Sequence, residues 1–500
     1  MRSRRRNSGH KAKKISRRSF VGGAAAGAVF ATVPRHVLGG AGYTAPSERL
    51  NIACIGVGAQ GTRVMLGYLA RDNVQIVAVC DVDKGSTGYT EWGVGEMRRS
   101  VSKLIGSTYV EKGYYTDGFW AGRDPAQYVV ESYYAARNGT GSYKGCPAYN
   151  DFREMLEKQQ DIDAVLVATP DHLHAVASIT AMKMGKHVHC QKPMTHSVYE
   201  ARKMAEGARR YKVATQVATG NQASEETRLL CEWIWDGAIG PVREVHNWSN
   251  RPIWPQGLER PEDTPPVPPN LDWDLWLGPS PYRPYHPAYL PFVWRGWHDF
   301  GTGALGDMGC YSFDTILRVL KLGHPTSVEA ISTKRHEESF PLASIVRYEF
   351  PARGDMPPVK LTWYDGMLTA PRPHEMDDGV RLRKEGLLFV GDDGKILCQF
   401  TGGDPHLIPE SKDNAYRRPP KTLPRSIGHD EEWIEACKGG QPAGANFEIA
   451  GPITEALLLG NVALRAGGDK IRWDGPNMKV TNVASANNYV AGEYRDGWSL

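Results

Sequence analysis

The segment from Asn51 to Asp81 constrains the fold more than any other part of the chain. It begins as an apolar strand, NIACIG, and continues into a glycine-rich turn that completes the pattern GxGxxG at Gly56, Gly58 and Gly61. A helix-like stretch follows, and then a second apolar strand, VQIVAVC, which ends at Asp81. This order is typical of a nucleotide-binding βαβ unit, in which glycines let the backbone approach a pyrophosphate at a helix N-terminus. We therefore expect a parallel sheet and a bound dinucleotide.

The acid at the end of the second strand bears on the choice of cofactor. Asp81 lies twenty residues after Gly61, a spacing at which a carboxylate accepts hydrogen bonds from ribose hydroxyls. Its negative charge repels a 2′-phosphate, so the sequence favours NAD over NADP. Gln60, inside the turn, is predicted to contact the same cofactor.

Apolar strands alternate with helices as far as residue 222, which predicts a doubly wound α/β domain of the Rossmann type over residues 43–222. Ser197 and Glu200 form a capping box at the start of one of its helices. Residues 84–148 exceed a short connection, and we interpret them as an insertion of ~60 residues on the surface or at a subunit contact. The further strands are predicted at 162–170, 187–191 and 213–220.

After residue 222 the character of the chain changes. Residues 252–291 contain twelve prolines and predict an irregular segment. From residue 327 onward, period-two segments and a hairpin around Asp393–Gly394 predict a mostly antiparallel sheet that is open on one face. We therefore expect residues 223–500 to form an α+β domain, with a small-molecule substrate bound between the two domains. An open sheet face would suit a homo-oligomer.

Residues 1–42 have the composition of an export signal and leader. Ten basic residues and no acid precede Glu48, and the apolar run from Phe20 to Val33 is too short to span a membrane comfortably. The paired Arg17-Arg18 before Ser-Phe resemble a twin-arginine signal, which directs folded proteins to export. We therefore expect a periplasmic or otherwise exported protein, recognised by the twin-arginine export machinery and without a stable membrane anchor.

The net charge gives no reason to expect nucleic acid as a partner. The whole chain carries +4, and it becomes −6 once the ten positive charges of the leader are removed. A mildly acidic body does not attract a polyanion.

Two strand ends carry candidate site residues. Thr169 and Pro170 end one predicted strand, and Gln191 and Lys192 end the next. Ligands bind at the carboxyl ends of parallel strands, and a lysine there can bind a substrate hydroxyl and support proton transfer. His174 is expected to open a helix beside the cofactor.

Histidine pairs at 172/174 and 187/189 have the HxH spacing of some metal sites. No carboxylate or cysteine near them in the sequence completes a tetrahedral set, so no metal site is predicted.

Asp307 and Tyr311 lie four residues apart and should share one face of the predicted helix MGCYSFDTILRVL. Asp307 could act chemically, cap the helix, or do both at a helix start that faces the cofactor cleft. Six of the fourteen tryptophans fall between 248 and 297. They could stack on sugar rings or build a small core inside the proline-rich segment.

Three motifs in this order resemble the Gfo/Idh/MocA oxidoreductase family, named for glucose–fructose oxidoreductase, inositol dehydrogenase and MocA. They are GVGAQG with Cys-Asp at the second strand end, ATPDHLHAVASITAMKMGKHVHCQKP, and GTGALGDMG before a helix. The resemblance covers about residues 50–475 and implies NAD(P)-dependent oxidation or reduction of a hydroxyl on a sugar, cyclitol or sugar derivative. It implies a catalytic lysine at Lys192 and the associated acid at Asp307.

The chain departs from the family pattern at two positions. Gln191 replaces the usual glutamate before Lys-Pro, and Tyr311 stands where the family usually has histidine. Three readings follow: Tyr311 acts as the proton acceptor with its pKa lowered by Lys192, His298 reaches the site instead, or the protein binds a sugar without turning it over.

The predicted compartment adds a constraint, because free NAD is scarce outside the cytoplasm. An exported enzyme would have to carry a tightly bound cofactor and regenerate it on site. A sugar oxidoreductase is our main hypothesis, a redox-neutral NAD-dependent glycosidase is the alternative, and a sugar-binding protein is the third.

The predicted site comprises three sets of residues. The predicted catalytic residues are Lys192, Asp307 and Tyr311. The predicted cofactor contacts are Gly56, Gly58, Gln60, Gly61, Asp81, Thr169, Pro170, His174, Gln191, Lys192 and Asn221. The predicted substrate contacts are Lys192, Arg295, Trp297, His298, Asp307 and Tyr311.

Overall fold

The computed structural model describes residues 48–106 and 119–500, and residues Leu50–Leu500 form one compact unit. The leader, on which the export prediction rests, lies outside the described residues. Two large sheets organise the compact unit: a six-stranded sheet near the N-terminus and a nine-stranded sheet built from later segments.

The first sheet is wholly parallel, with the strand order β5-β2-β1-β6-β7-β8. The order reverses between β1 and β6, and a crevice at the carboxyl ends of these strands is the usual ligand site of such sheets. Its strands are β1 (Leu50–Ile55), β2 (Val74–Cys80), β5 (Ala148–Tyr149), β6 (Ala164–Val167), β7 (His187–Cys190) and β8 (Thr215–Val217).

Helices cover both faces of this sheet, because its strands are apolar throughout and must be buried on both sides. Helix α6 begins with the predicted capping box, in which the Ser197 side chain accepts from the backbone N–H of Glu200. The helices of this region are α1 (Ala59–Leu69), α2 (Glu96–Ile105), α3 (Arg123–Asn138), α4 (Phe152–Lys158), α5 (Asp171–Lys183) and α6 (Val198–Tyr211).

The prediction that residues 84–148 form a surface insertion is wrong for much of that segment. A small antiparallel two-stranded sheet of β3 (Ser86–Tyr89) and β4 (Phe119–Ala121) precedes α3, and α3 is the crossover helix that connects β2 with β5. Its Tyr134 lies in the core, and the Tyr134 hydroxyl accepts a hydrogen bond from the Ile76 N–H of β2 at 2.8 Å. Several tyrosines of the segment occupy positions that face the core. Because tyrosine is not counted on as a core residue, the sequence showed no clear helical period.

The second sheet has the order β15-β14-β13-β9-β12-β11-β10-β16-β17, and all its pairs are antiparallel except β9 with β12. The predicted hairpin around Asp393 is present as β13 and β14. The strands are β9 (Val242–Trp248), β10 (Ser327–Ser332), β11 (Ser344–Phe350), β12 (Val359–Tyr364), β13 (Gly386–Gly391), β14 (Lys395–Cys398), β15 (His406–Ile408), β16 (Ile471–Asp474) and β17 (Lys479–Val480).

One face of this second sheet packs on helices α9 (Gly303–Val319) and α12 (Phe447–Arg465). The prediction that the other face is open is only partly right, because Ala370 and Met376 from a loop cover Trp248 and Leu388 on that face. The helices that follow α6 are α7 (Glu225–Trp235), α8 (Trp273–Leu277), α9 (Gly303–Val319), α10 (Glu410–Ala415), α11 (His429–Cys437) and α12 (Phe447–Arg465).

The later helices do not stay within a second domain that begins after residue 222. Helix α11 returns to the first sheet, where its Trp433 is fully buried among the residues that cover β1 and β2. Helix α12 lies against α6 on one side and α9 on another. It is long and apolar enough to cross a membrane, but 78% of its apolar window is buried inside the protein. An apolar helix enclosed on several sides is typical of a globular core.

Substitution of Tyr134 by Phe should test the structural role of α3. The Ile76 N–H would lose its partner in a buried position, and we expect the free energy of unfolding to fall by about 1–3 kcal/mol. Urea unfolding measures the loss. Tyr133→Phe is the matched control, since the Tyr133 hydroxyl makes no hydrogen bond with another described residue. Equal stability of the two variants would contradict a core position for α3.

Candidate active site

The glycine-rich turn joins β1 to α1 and leaves no room for side chains at its three glycines. Gly56 has φ +80°, and a Cβ there would lie 2.7 Å from the backbone of Ala168. At Gly61 a Cβ would lie 1.9 Å from the carbonyl oxygen of Gly56, and at Gly58 it would lie 2.6 Å from the Tyr89 ring. The turn therefore presents bare backbone at a helix N-terminus, which suits a pyrophosphate.

Asp81 anchors this turn as well as facing the cleft. Its Oδ2 accepts from the Val57 N–H at 2.7 Å, and its Oδ1 accepts from the Asp83 N–H at 2.9 Å. Burial raises the pKa of Asp81 to about 6. Each carboxylate oxygen can accept a second hydrogen bond, so two positions remain for ribose hydroxyls.

A single cleft of about 570 Å³ lies between the glycine turn and helix α9. Most of the sequence-predicted site residues line it, which brings the two halves of the chain together at one place. Two polar atoms at this wall, Thr169 Oγ1 and Asp171 Oδ1, are buried without a partner among the described residues. Unpartnered buried polar atoms are rare and fit a site that a cofactor completes. The predicted residues in the lining are Gly56, Gly58, Gln60, Gly61, Asp81, Thr169, Pro170, Gln191, Lys192, Arg295, Asp307 and Tyr311.

Lys192, Asp307 and Arg295 form one ion cluster in the cleft. Lys192 Nζ donates to Asp307 Oδ1 at 3.1 Å and to the Asp307 carbonyl oxygen at 3.0 Å. Arg295 Nε donates to the same Oδ1 at 3.0 Å. Since two cations share one carboxylate that is only 4% exposed, the cluster carries a net positive charge that favours a negatively charged oxygen nearby.

The charges of this cluster stabilise one another. Burial alone would raise the pKa of Asp307, but the attraction of Lys192 and Arg295 outweighs it and holds that pKa below its ordinary value. Burial alone would lower the pKa of Lys192, but Asp307 outweighs it and the pKa of Lys192 is raised. At neutral pH the lysine is therefore a cation and the aspartate an anion.

The expectation that Asp307 caps a helix is wrong. Helix α9 begins at Gly303 with Thr302 at the N-cap, so Asp307 lies within the helix after its first turn. Gly303 and Gly306, which come before Asp307, belong to the helix rather than preceding it. Gly306 packs closely on Thr302, and Gly309, which follows Asp307, packs closely on Leu457.

Tyr311 follows Asp307 by one helical turn and lies beside Lys192. The ammonium of Lys192 lies 5.0 Å from the centre of the Tyr311 ring, as in a cation–π contact. The prediction that Lys192 lowers the pKa of Tyr311 is wrong in its outcome. Burial raises this pKa by more than Lys192 lowers it, so the net shift is upward. The phenol therefore keeps its proton at neutral pH.

Two predicted substrate residues lie outside the cleft. His298 Nδ1 lies 3.1 Å from the Glu337 carbonyl oxygen, and its ring packs edge-on against Phe340. Trp297 is 1% exposed, and its Nε1 donates to the Ala288 carbonyl. The sequence placed both residues correctly on a loop near α9 but could not tell which side chains of that loop point inward. His298 is therefore not the proton acceptor.

Two predicted cofactor residues also act indirectly. The His174 ring lies within 2.9 Å of the carbonyl oxygens of Thr169 and Pro193, so it ties together the two strand ends that line the cleft. Asn221 Nδ2 donates to the Tyr311 carbonyl oxygen at 2.6 Å, so it holds α9 in place from outside the cleft. Neither side chain lines the cleft.

The tryptophans of the proline-rich segment build the predicted small core, and some of them also line the cleft. Trp254, Trp276 and Trp294 line the cleft, and Arg295 stacks 4.2 Å from the centre of the Trp294 ring. Around them an aromatic cluster gives this irregular segment its own core. The buried members of that cluster are Trp273, Trp276, Leu277, Tyr289, Trp294, Trp297 and Phe300.

Several residues of the lining come from segments that no motif marks. Tyr89 and Trp92 come from the segment after β2, and Trp498 comes from near the end of the chain. Trp498 packs against Phe152, and the Arg153 guanidinium lies 4.3 Å from the centre of its ring. Their aromatic character is the only signal in the sequence that they line the cleft, because they lie outside the motifs that mark the other lining residues.

Asp171, at the start of α5, was not predicted as a site residue. It lines the cleft, is 1% exposed, and accepts a hydrogen bond from Thr302 Oγ1 at 2.8 Å through Oδ2. Burial, together with repulsion from Asp307, raises the pKa of Asp171 to about 8. The cleft therefore holds a neutral carboxylic acid next to the ion cluster at pH 7.

Comparison with known proteins agrees with this geometry. The family model for the oxidoreductase NAD-binding Rossmann fold matches residues 126–219, and the model for the C-terminal α/β domain of the same family matches residues 243–354. The two matches carry Lys192 on one side of the cleft and Asp307 on the other. The chain belongs to the Gfo/Idh/MocA oxidoreductase family. The fold class predicted from the sequence is confirmed.

Individual relatives of this Gfo/Idh/MocA protein match in part. Levoglucosan dehydrogenase of Pseudarthrobacter phenanthrenivorans is 31% identical over 111 residues, which are 21% of this chain and 28% of that protein. The 1,5-anhydro-D-fructose reductase of Ensifer adhaerens is 26% identical over 253 residues, which are 49% of this chain and 57% of that protein. The chain thus spans about a quarter to just over half of the length of these curated relatives.

A solved structure supports the fold over a longer stretch. The WlbA dehydrogenase from Bordetella pertussis, crystallised with NADH and UDP-GlcNAcA, superposes with a TM-score of 0.52. The alignment covers 85% of this chain and 99% of that one at 16% sequence identity. At this identity the likeness concerns the fold alone.

The raised pKa of Asp171 should appear as a pH dependence of stability. Between the ordinary aspartate pKa of ~3.9 and about 8, the unfolded chain has released a proton that the folded chain still holds. Stability therefore falls as pH rises through this window, by up to about 1.4 kcal/mol per pH unit. Asp171→Asn keeps an acceptor for Thr302 and removes this dependence. We expect its melting temperature to exceed that of the wild type at pH 8 and to match it near pH 4.

Thermal melts of both proteins across this pH range measure the effect. Asp355→Asn, at an exposed turn, is the control and should follow the wild type. If the melting temperatures of Asp171→Asn and the wild type change with pH in parallel, Asp171 ionises normally in the folded protein.

Proposed function

We propose that the protein is an NAD-dependent oxidoreductase that interconverts a hydroxyl and a carbonyl group on a sugar, cyclitol or sugar derivative. The observation that carries this proposal is the ion cluster of Lys192, Asp307 and Arg295, which faces the glycine turn across one cleft. The names of the curated relatives support a carbohydrate as the substrate. The two unoccupied acceptor positions on Asp81 support NAD over NADP.

The protein residues divide the work around the reacting carbon. Gly56, Gly58 and Asp81 would hold the cofactor, which supplies a hydride donor and acceptor when it is bound. Lys192 is charged and can donate a hydrogen bond to the substrate oxygen, so it stabilises the negative charge that develops there. Asp307 keeps Lys192 charged and in place, and Arg295 adds a second positive charge.

The proton is transferred by groups of the cleft that are protonated at neutral pH. The pKa values of Tyr311 and Asp171 are both raised, chiefly by burial, so each is a proton donor toward a newly formed alkoxide. In the direction of alcohol oxidation one of them must first lose its proton. Since the pKa of Asp171 is about 8, we expect the oxidation rate to rise as the pH approaches that value.

Purified protein incubated with a panel of sugars and sugar derivatives tests the proposed reaction. We expect nicotinamide absorbance to change with at least one compound. Lys192→Met should lower that rate roughly 100-fold or more while the nucleotide stays bound, since removing one donor to a developing oxyanion costs about 10²–10³-fold. Lys144→Met, at a side chain that is 83% exposed, is the control and should react at the wild-type rate.

Three outcomes of this assay discriminate among mechanisms. If Tyr311→Phe keeps the wild-type rate, its hydroxyl is not the proton donor and Asp171 is the remaining titratable candidate. If aryl glycosides release the aryl alcohol without net reduction of NAD, the protein is a redox-neutral glycosidase. If sugars bind without any change of the nucleotide, the protein is a binding protein and the proposal is wrong.

We propose further that the protein is exported with its cofactor already bound. Residues 16–33 resemble a twin-arginine leader, whose pathway exports folded proteins. All eight cysteines are free and seven of them are buried, which suits folding in a reducing compartment before export. A cofactor that crosses the membrane with its enzyme must dissociate slowly.

Trp498 offers a test of this tight binding. Its ring lines the cleft beside Phe152, so Trp498→Ala would remove apolar contact from one end of the bound cofactor. An aromatic contact is worth ~0.5–1.5 kcal/mol, and we expect nucleotide to dissociate about 2- to 10-fold faster. Nucleotide retained after dialysis, quantified by mass spectrometry, measures the change. Trp235→Ala lies outside the cleft lining and should retain the cofactor like the wild type. Wild-type protein that emerges empty from the exported fraction would contradict the proposal.

A further inference from the structure

A second cluster of potential ligands lies beneath the first sheet, away from the cleft. It consists of His189 on β7 and of His429 and Asp430 at the start of α11. One ligand atom from each residue lies within 4.8 Å of the other two. None of the three lines the cofactor cleft.

The hydrogen bonds of His189 leave one ring nitrogen available. The Tyr68 hydroxyl lies 3.2 Å from His189 Nδ1 and donates to Asp430 Oδ1 at 3.2 Å. Because the hydroxyl has a single proton, His189 Nδ1 must carry the hydrogen of that contact, and Nε2 carries a lone pair. His189 is 3% exposed, and its Nε2 has no partner among the described residues. A buried lone pair of this kind calls for a ligand.

His429 Nε2 is also buried without a partner in the described chain. The Gln222 side-chain Nε2 donates to His429 Nδ1 at 3.0 Å, so a metal at His429 Nε2 requires the Gln222 amide to rotate and present its unpartnered Oε1 to an Nδ1–H. The two imidazole rings lie 5.7 Å apart between centroids.

Oxygen atoms and charge complete the environment. Asp430 supplies a carboxylate whose Oδ2 accepts from Arg71 Nη2 at 2.9 Å, and Glu431 and Glu432 follow it in the first turn of α11. Two of these carboxylates, Asp430 and Glu431, therefore pair with Arg71. The amide oxygens of Gln216 and Gln222 are also buried without partners, and Gln216 donates to the His429 carbonyl at 2.7 Å.

We propose that His189, His429 and Asp430 bind one divalent transition-metal ion, with zinc as the best match. Two imidazoles and one carboxylate are ligands that zinc favours, whereas magnesium and calcium favour oxygen alone. Ligand atoms on one zinc lie about 3.4 Å apart for bonds of ~2.1 Å, so side-chain movements of about 1 Å close the site. Tyr68 positions both His189 and Asp430 by hydrogen bonds, as outer residues do in metal sites.

The ion would act on the fold rather than on the substrate. It would join β7 to α11, a helix that returns to the first sheet from more than 230 residues later in the chain. His189 lies three residues before Lys192 on the same stretch, so the site would also fix the strand end that carries the catalytic lysine.

Elemental analysis of untagged protein tests the proposal. Protein expressed with added zinc and then dialysed against a weak chelator should retain one zinc per chain. His429→Gln should lose more affinity than the ~10–100-fold typical of losing an outer-shell partner. Zinc should raise the melting temperature of metal-stripped wild type but not of His429→Gln. Asp430→Asn provides a second variant should His429→Gln fail to fold.

A control separates this site from surface binding. His374→Gln, at a side chain that is 89% exposed, should retain zinc like the wild type. Cobalt in place of zinc should give the visible absorption of a tetrahedral site in the wild type alone. Wild-type protein without bound zinc and without a zinc-dependent melting temperature would show that water fills the cluster and would overturn the proposal. Equal zinc content in His429→Gln and the wild type would overturn it as well.

Discussion

The ion cluster of Lys192, Asp307 and Arg295 is the interaction on which the site depends. Lys192 ends a strand of the first sheet, whereas Asp307 and Arg295 belong to the segment that leads into the second. Burying any one of these charges alone would cost free energy, but the carboxylate and its two cations compensate one another. The cluster therefore fixes the two halves of the compact unit at the point where the reaction is proposed to occur, and its surplus positive charge faces the cleft.

The rest of the cleft is assembled around that cluster from distant segments. His174 and Asn221 do not touch the cleft, but they hold the loops and the helix that do. Burial of the cleft walls also sets the protonation of Tyr311 and Asp171, since removing a carboxyl or phenol from water disfavours its charged form. Chemistry at this site thus follows from how deeply residues are packed as much as from which residues they are.

Local patterns predicted a large part of this arrangement. Strand and helix order placed the glycine turn, Asp81 and the strand ends at Thr169 and Lys192 in one cleft, and the resemblance to the family added Asp307 and Tyr311. The prediction failed where the outcome depended on side-chain direction or on burial. Trp297 and His298 belong to the right loop but face the core, and Tyr311 has a raised pKa because burial outweighs the attraction of Lys192.

The sequence by itself determined the parallel sheet, the glycine turn and the identity of the charged groups, because these follow from hydrophobic period, turn chemistry and spacing along the chain. Only the tertiary structure decided which charges meet. The histidine pair at 187 and 189 shows the difference. No neighbour in the sequence completes a metal set, yet folding brings His429 and Asp430 to His189. Contacts between residues far apart in the chain depend on packing, which no local pattern encodes.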